Sequence, residues 1–263
     1  MLKNLLLCLF FVFGVGVIES KTIILTDNNF VSLMGPVTKS SVDDVIHSFS
    51  SRNIYEYMLE NKQINLYINS PGGSVFAGAH LVQYIQSLQE SGIVVNCIGQ
   101  NFMSMAFIIM QSCTNRYGMF DSLGMQHQMS LGLKGSIENF RSYFNMIDRV
   151  NLILSKMEMH KMSMTQEEYF NKILSDWWSY GEENVKNKIV DEIVTVRCAS
   201  SIMTDKIKKN MSLFEIDFII EQYRCPLIND VRVNMRNISK YYDSGNYASN
   251  VKEIINKFSM EKN

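Results

Sequence analysis

Residues 64–91 read "INLYINSPGGSVFAGAHLVQYIQSLQES". The run from Ile64 to Ile68 has the character of a short buried strand, and "NSPGG" supplies turn residues. From Val75 to Leu88 the apolar positions Val75, Leu81, Ile85 and Leu88 take helical spacing. Strand, glycine turn and helix thus form one unit, and the next segment repeats it. "GIVVNCIG" at 92–99 is strand-like, and the Met-rich run after Gln100 is apolar all round, as a fully buried helix would be. Two successive units of this kind call for crossover connections, so we expect an α/β core of stacked strand-turn-helix units around a mostly parallel sheet.

The flanking sequence extends this plan. "TIILTD" at 22–27 and "FVSLMG" at 30–35 read as short strands, and "SSVDDVIHSFSSRNIYEYMLE" has helical spacing. From Asn139 to about Met164 no proline or glycine interrupts the chain. Phe140, Tyr143, Phe144, Ile147, Val150, Leu152 and Leu154 there predict a long protruding helix with more apolar surface than one solvated helix needs. After "VDEIV" at 190–194 the segments look mostly helical, with "YYDSGNYAS" as an interrupting loop. We therefore expect a core domain over 21–198 and a mainly helical extension over 199–263.

The chain has 263 residues, 46% hydrophobic and 19% charged, which places it among compact globular proteins. Lys and Arg number 25 against 26 Asp and Glu. With neither a positive field nor zinc-finger spacing, nucleic acid is not the expected partner. Lys3 precedes an apolar stretch from Leu5 to Ile18, too short for the roughly 17–25 residues that span a bilayer. Residues 1–20 therefore read as a signal peptide, which implies a secreted, periplasmic or lumenal protein if it is cleaved and a membrane-anchored or cytoplasmic one if it is not. Cys97, Cys113, Cys198 and Cys225 are too dispersed to suggest a disulfide framework and lack C-x-x-C spacing, so no metal or other cofactor is assigned. "NMS" at Asn210 and "NIS" at Asn237 are glycosylation acceptors where the compartment glycosylates.

Within the second unit, Ser104 sits in "CIGQNFMSMAFIIMQSC" at 97–113. Its hydroxyl has three readings: bonded back to the helix backbone, a close packing contact, or a nucleophile presented at a helix N-terminus. "FMSMA" lacks the glycines of a lipase-type nucleophile elbow. Gly72 and Gly73 end a neighbouring strand, however. In a parallel sheet both strand ends face one crevice, so this turn is a candidate half of an oxyanion hole, with the Met105 amide as the other. Among four histidines, His47 and His80 lie in helix-like segments and His160 late in the long helix. His127, in "DSLGMQHQMSLG", follows a turn and precedes a glycine loop. A carboxylate to orient its ring could come from several acids, Asp121 and Asp176 among them.

Together, "INLYINSPGGSVFAG", "GQNFMSMA", "MQHQ" and "DWWSYGEENVKNKIVDEIV" resemble the proteolytic subunit of the Clp protease, a serine peptidase family of ClpP/crotonase-like fold. The likeness runs from about Thr22 to Val194. It implies that Ser104 is the nucleophile, His127 the base and Asp176 the orienting acid. Asp176 follows because the family's acid lies fifteen residues before the aspartate of its G-L-V-D strand, and Asp191 in "KIVD" is that aspartate here. The oxyanion amides would be those of Gly73 and Met105. The resemblance further implies a homo-oligomeric ring of seven, or two stacked rings, acting on peptides or unfolded protein. Such rings ordinarily receive substrate from an ATP-driven unfoldase, and this chain has no "GxxxxGK[ST]" loop of its own.

The chain departs from the family in three places. Three residues, Asn101 to Met103, separate Gly99-Gln100 from Ser104 where two are usual, and they are bulky. Ala106 replaces a common glycine, and Met129 replaces proline. These changes bear on the substrate channel and the placement of the serine. Three alternatives stand beside the serine endopeptidase: an exported signal-peptide-peptidase-like enzyme with a serine–lysine mechanism, a catalytically inactive structural subunit of a mixed ring, and a crotonase-type acyl-CoA hydratase or isomerase. The second of these would keep the fold without chemistry. Against the serine–lysine mechanism, no lysine occurs between Arg116 and Leu133, and His127 holds the base position. Crotonase-type enzymes need no Ser–His–Asp set.

Overall fold

The computed structural model describes residues 21–130, 132, 135–213, 216–228 and 231–236. The leader therefore lies outside the described residues, as do Asn237 and the "YYDSGNYAS" segment.

Strands β1 (Thr22–Leu25) and β2 (Phe30–Met34) open the chain, followed by helices α1 (Lys39–Phe49) and α2 (Arg52–Asn61). The single helical pattern of 40–60 is thus two helices, parted at Ser50 and Ser51. Next come β3 (Gln63–Ser70), α3 (Val75–Glu90), β4 (Val94–Met103), α4 (Met105–Ser112) and β5 (Asn115–Gln126). The long helix is α5 (Ile137–Met162), about 39 Å from end to end. Its N-terminal half is mostly exposed, while Leu154, Glu158 and Met162 are buried in its last turns. Helix α6 (Gln166–Lys172), strand β6 (Trp177–Tyr180), α7 (Glu183–Lys186) and β7 (Glu192–Cys198) complete the domain.

Seven strands form one sheet in the order β1-β7-β5-β4-β3-β2, with β6 also on β5. All pairs are parallel except β5–β6. The α/β, mostly parallel architecture expected from the repeated strand-turn-helix unit is what the chain adopts. Alternation along the strands separates two cores. Ile64, Leu66, Ile68, Val95 and Cys97 join the larger core with α1–α5, whereas Tyr67, Ile98 and Tyr117 face the other side with Leu25, Val194 and Ile202.

Two irregularities shape the site. Ile68 pairs with Gly99 but Asn69 with Asn101, so β4 bulges by one residue at Gln100. Because one added residue would otherwise turn every later side chain to the opposite face, this bulge accommodates the third residue of "NFM". Phe102 consequently points into the larger core, fully buried between Gly99 and Gly124 and tilted against Phe107 with ring centroids 6.1 Å apart. Its bulk is core packing. On β5, Gly118 pairs with Gly99 but Leu123 with Asn101, so residues 119–122 form an excursion. Before it β5 is flanked by β7, after it by β6.

Over residues 199–236 the described chain corrects the expectation of a mainly helical extension, whose remainder, 237–263, lies outside the described residues. Residues 199–236 hold one helical turn, α8 (Ser200–Met203), and an antiparallel sheet of β8 (Lys206–Leu213), β9 (Ile216–Tyr223) and β10 (Val231–Arg236). The period-two spacing of "VRVNMR" and the β-branched residues of "IDFIIEQY" carry this preference. The cysteines also differ from expectation: Cys97 is bonded to Cys113, and Cys198 to Cys225. Sequence distance concealed that the first pair spans one strand-helix unit and the second ties the antiparallel sheet to the end of β7.

Candidate active site

Ser104 occupies the single residue between β4 and α4, with φ 52° and ψ −120°. A non-glycine residue held at positive φ is strained by roughly 1–3 kcal/mol and persists only where its surroundings fix it. Its N–H donates to the Met125 carbonyl of β5 at 2.8 Å, and its carbonyl accepts from the Phe107 N–H inside α4. This is a strand-to-helix elbow without flanking glycines. The space comes from elsewhere in the chain. A methyl group at Gly72 would lie 2.8 Å from Ser104 Cβ and 2.9 Å from the Met105 nitrogen, and one at Gly78 would collide with the Met105 side chain. The glycine turn after β3 and the first turn of α3 therefore receive the elbow.

His127 follows the last residue of β5, and its Nε2 lies 2.9 Å from Ser104 Oγ, within hydrogen-bond distance. The elbow's tether to Met125, two residues upstream, keeps serine and histidine in one frame. Neither of the other Ser104 readings describes this contact. No side-chain cap hydrogen bond ties Ser104 to α4. Lys161, in the last turn of α5, gives its ammonium to the Cys113 carbonyl at 2.7 Å.

Asp176 immediately precedes β6. The antiparallel register pairs Leu123 with Tyr180 and Gln126 with Trp177, so His127 and Asp176 are the residues next to its last pair. The Asp176 side chain is exposed, and among the described residues its carboxylate makes no hydrogen bond to the imidazole. Asp121 stands on the β5 excursion, six residues before His127, where its carboxylate accepts a long 3.5 Å contact from Gln100. Gln100 in turn accepts from the Tyr67 hydroxyl at 2.7 Å and from Asn69 at 3.0 Å. Burial and then the Asp121 charge push the Tyr67 hydroxyl up, so it remains a neutral donor. Asp121 is thus engaged in a separate polar cluster.

The two amides named for an oxyanion hole belong to the glycine turn after β3 and to the residue that follows the serine. Val37 N–H donates to the Gly72 carbonyl and Ser74 N–H to the Val37 carbonyl, both at 2.8 Å. This parallel bridge uses the groups on either side of Gly73 and leaves the Gly73 N–H directed away from Val37. The Met105 N–H is the first of α4 and has no intrahelical acceptor.

Three residues behind His127 were not singled out in the sequence. Gln126, buried at the end of β5, accepts from the His127 backbone N–H at 3.1 Å and donates to Glu158 Oε1 at 2.5 Å. Glu158 Oε2 accepts from the Tyr169 hydroxyl at 2.7 Å. Glu158 is 1% exposed, and burial pushes its carboxyl up to about 7 despite the two donors. A signal was available: Glu158 lies between Leu154 and Met162 on the apolar stripe of α5, where a carboxylate is out of place.

Asp191, the landmark for Asp176, binds Arg116 through its guanidinium and backbone N–H. Burial raises the Asp191 carboxyl, but the hydrogen bonds and charge of Arg116 outweigh it and hold the group below its ordinary range. This pair fixes the start of β7 against β5 and so the frame in which β6 returns to His127.

Among known families, the Clp protease model matches residues 18–197, from ahead of β1 almost to the end of β7. The match covers all but the last residue of the seven-stranded sheet and both arms of the Ser104–His127 pair, and stops short of the antiparallel sheet. On this agreement of sequence, topology and site, the chain belongs to the Clp protease family of peptidases.

Proposed function

We propose that the protein is a serine endopeptidase that cleaves peptides or unfolded protein through an acyl-enzyme. The observation that carries this reading is the 2.9 Å contact between Ser104 Oγ and His127 Nε2 at a positive-φ strand-to-helix turn. Ser104 Oγ attacks the scissile carbonyl as its proton passes to His127. The Gly73 and Met105 amides receive the oxyanion, where preorganised donors act most strongly. His127 then returns the proton to the leaving amine, and water, activated by the same imidazole, hydrolyses the ester. Asp176 accepts from the other ring nitrogen once its carboxylate turns toward the histidine, the two residues adjoining the last pair of the β5–β6 register. A cavity of about 310 Å³, lined by Gln128, which follows His127 in the chain, has Met129, Phe144, Ile147, Phe170 and Ile173 in its walls with Asp148 and Asn151, and its mostly apolar lining suits an apolar substrate side chain. Met129, where the family has proline, is part of that wall. Hydrolysis of a fluorogenic peptide library tests the reading: turnover by the wild type and its loss in Ser104→Ala are expected, and equal turnover by both would overturn it.

Clp protease family members generally form oligomeric rings with unfoldase partners. A homo-oligomeric ring here is supported by the exposed Ile137, Phe144, Leu152 and Ile153 along α5. Two disulfides and the apolar leader favour an oxidising compartment outside the cytosol. There the enzyme would act without ATP on substrates already unfolded. A mature N-terminus near Lys21 in an exported fraction is expected, and an intact Met1 in soluble cytosol would contradict it.

A further inference from the structure

Gln126 is held at both ends of its side-chain amide. Its Oε1 accepts from the N–H of His127, the first residue past β5, while its Nε2 donates to Glu158 and makes a longer 3.5 Å contact with the Tyr169 oxygen. An ionised carboxylate offers only acceptors, so it admits the nitrogen end of the glutamine and thereby turns the oxygen end toward His127. A reversed amide would set one N–H against another at His127. The orientation of Gln126, and with it the backbone from which the catalytic imidazole departs, is therefore dictated by a buried charge.

Resting on the serine peptidase reading above, we propose that Glu158 and Gln126 are positioning residues that hold His127 against Ser104, and that ionisation of Glu158 tightens this hold. The ionised form makes charge-assisted bonds, roughly twice as strong as neutral ones. When Glu158 is protonated, its new donor must face Tyr169, whose oxygen can accept. The carboxyl keeps only a neutral carbonyl for Gln126, and the orientation is less strictly enforced. Burial raises the Glu158 carboxyl to about 7, so this change falls at neutral pH. The groups facing it are Gln126 from β5, with His127 next along the strand, Ser155 one turn earlier on α5, and Tyr169 from α6. Helix α4, also packed on α5, carries no titratable side chain. Lys161 is engaged with the Cys113 carbonyl, and no ion pair involves Glu158 among the described residues.

The test is the pH profile, between 5.5 and 9, of peptide turnover and of fluorophosphonate labelling for the wild type, Glu158→Gln and Tyr169→Phe. For the wild type the ionisation of Glu158 should contribute to the rise in rate through neutrality. Glu158→Gln should lose that contribution, with kcat about tenfold lower at high pH, KM unchanged, and rates converging on the wild type at low pH. Tyr169→Phe removes a donor that favours the carboxylate, so the same contribution should move to higher pH. It also decides the matter if Glu158→Gln fails to fold by circular dichroism. A constant ratio between variant and wild type at every pH would mean a merely structural network and overturn the proposal while leaving Ser104 and His127 in place. Absence of labelling and turnover in the wild type at any pH would overturn both readings.

Discussion

Replacing Gly72 by alanine tests whether the serine is held by the glycine turn that receives it. The added methyl would lie 2.8 Å from Ser104 Cβ and 2.9 Å from the Met105 nitrogen, and closer still to the Met103 carbonyl oxygen. Ordinary carbon contacts begin near 3.5 Å, so the Ser104 elbow must retreat by roughly 0.7–1 Å. The elbow cannot yield freely, because Ser104 N–H is bonded to Met125 and Met105 packs on Gly78. A displacement of that size at a nucleophile costs about 10²-fold in kcat/KM, equivalent to about 2.7 kcal/mol of transition-state stabilisation. Gly72 also has φ +88°, and the strain of alanine there must be separated from the displacement. Gly92 supplies the control: it has φ +82° with nothing within 4 Å of its missing Cβ. Gly92→Ala should therefore lose stability without losing activity beyond its folded fraction. Peptide hydrolysis, normalised to folded protein by thermal melting, is the assay. Activity of Gly72→Ala within threefold of the Gly92→Ala control would refute the claim that this turn sets the serine's position.

Asp176→Asn should leave the melting temperature nearly unchanged, the side chain being exposed, yet lower kcat by up to about 10⁴ if the aspartate fixes the imidazole tautomer. An equal loss in Asp121→Asn instead would reassign the acid. Glu158 makes stability depend on pH in a definite sense. Its folded-state carboxyl titrates near 7 against an ordinary 4.5, so the unfolded chain loses the proton first as pH rises. The stability of the wild type relative to Glu158→Gln should thus be highest below about pH 4.5 and fall by about 3 kcal/mol as pH passes 7, measured by denaturant unfolding at pH 4 and 8. Cys198 and Cys225 enclose 27 residues of sequence separation, worth about 3–4 kcal/mol on a chain-entropy estimate. In Cys198→Ser/Cys225→Ser the antiparallel sheet should be cleaved by protease at least tenfold faster while the core domain survives. Unchanged digestion would deny the bond that role.

The fold was legible because its decisive information is local. "INLYINSPGGSVFAG" and "GIVVNCIG" show strand and turn within a few residues of each other, and their repetition specifies parallel crossovers. Ser104 and His127 could be named, and the structure brings them together. The elbow at Ser104 was not recognisable, because the glycines that make room for it belong to the preceding unit and not to "FMSMA". The bulge at Gln100 was equally hidden: an extra residue shows in the sequence, but whether it becomes a bulge or turns the strand over depends on partners across the sheet. Strands β5 and β6 escaped because "NRYGMFDSLGMQ" is interrupted by its excursion and "WWSY" is too short to show a period. The antiparallel sheet was misread because Ile207 and Met211, and likewise Ile216, Ile219, Ile220 and Tyr223, also recur at the three- and four-residue spacing of a helix face.

Ser104 is proposed as a nucleophile activated by His127. Intact-mass measurement after incubation with a fluorophosphonate tests it most directly. The wild type should gain one adduct, located on the peptide containing Ser104, with Ser104→Ala unlabelled and His127→Ala labelled at least a hundredfold more slowly. Labelling of Ser104→Ala at the wild-type rate, or of His127→Ala as fast as wild type, would contradict it.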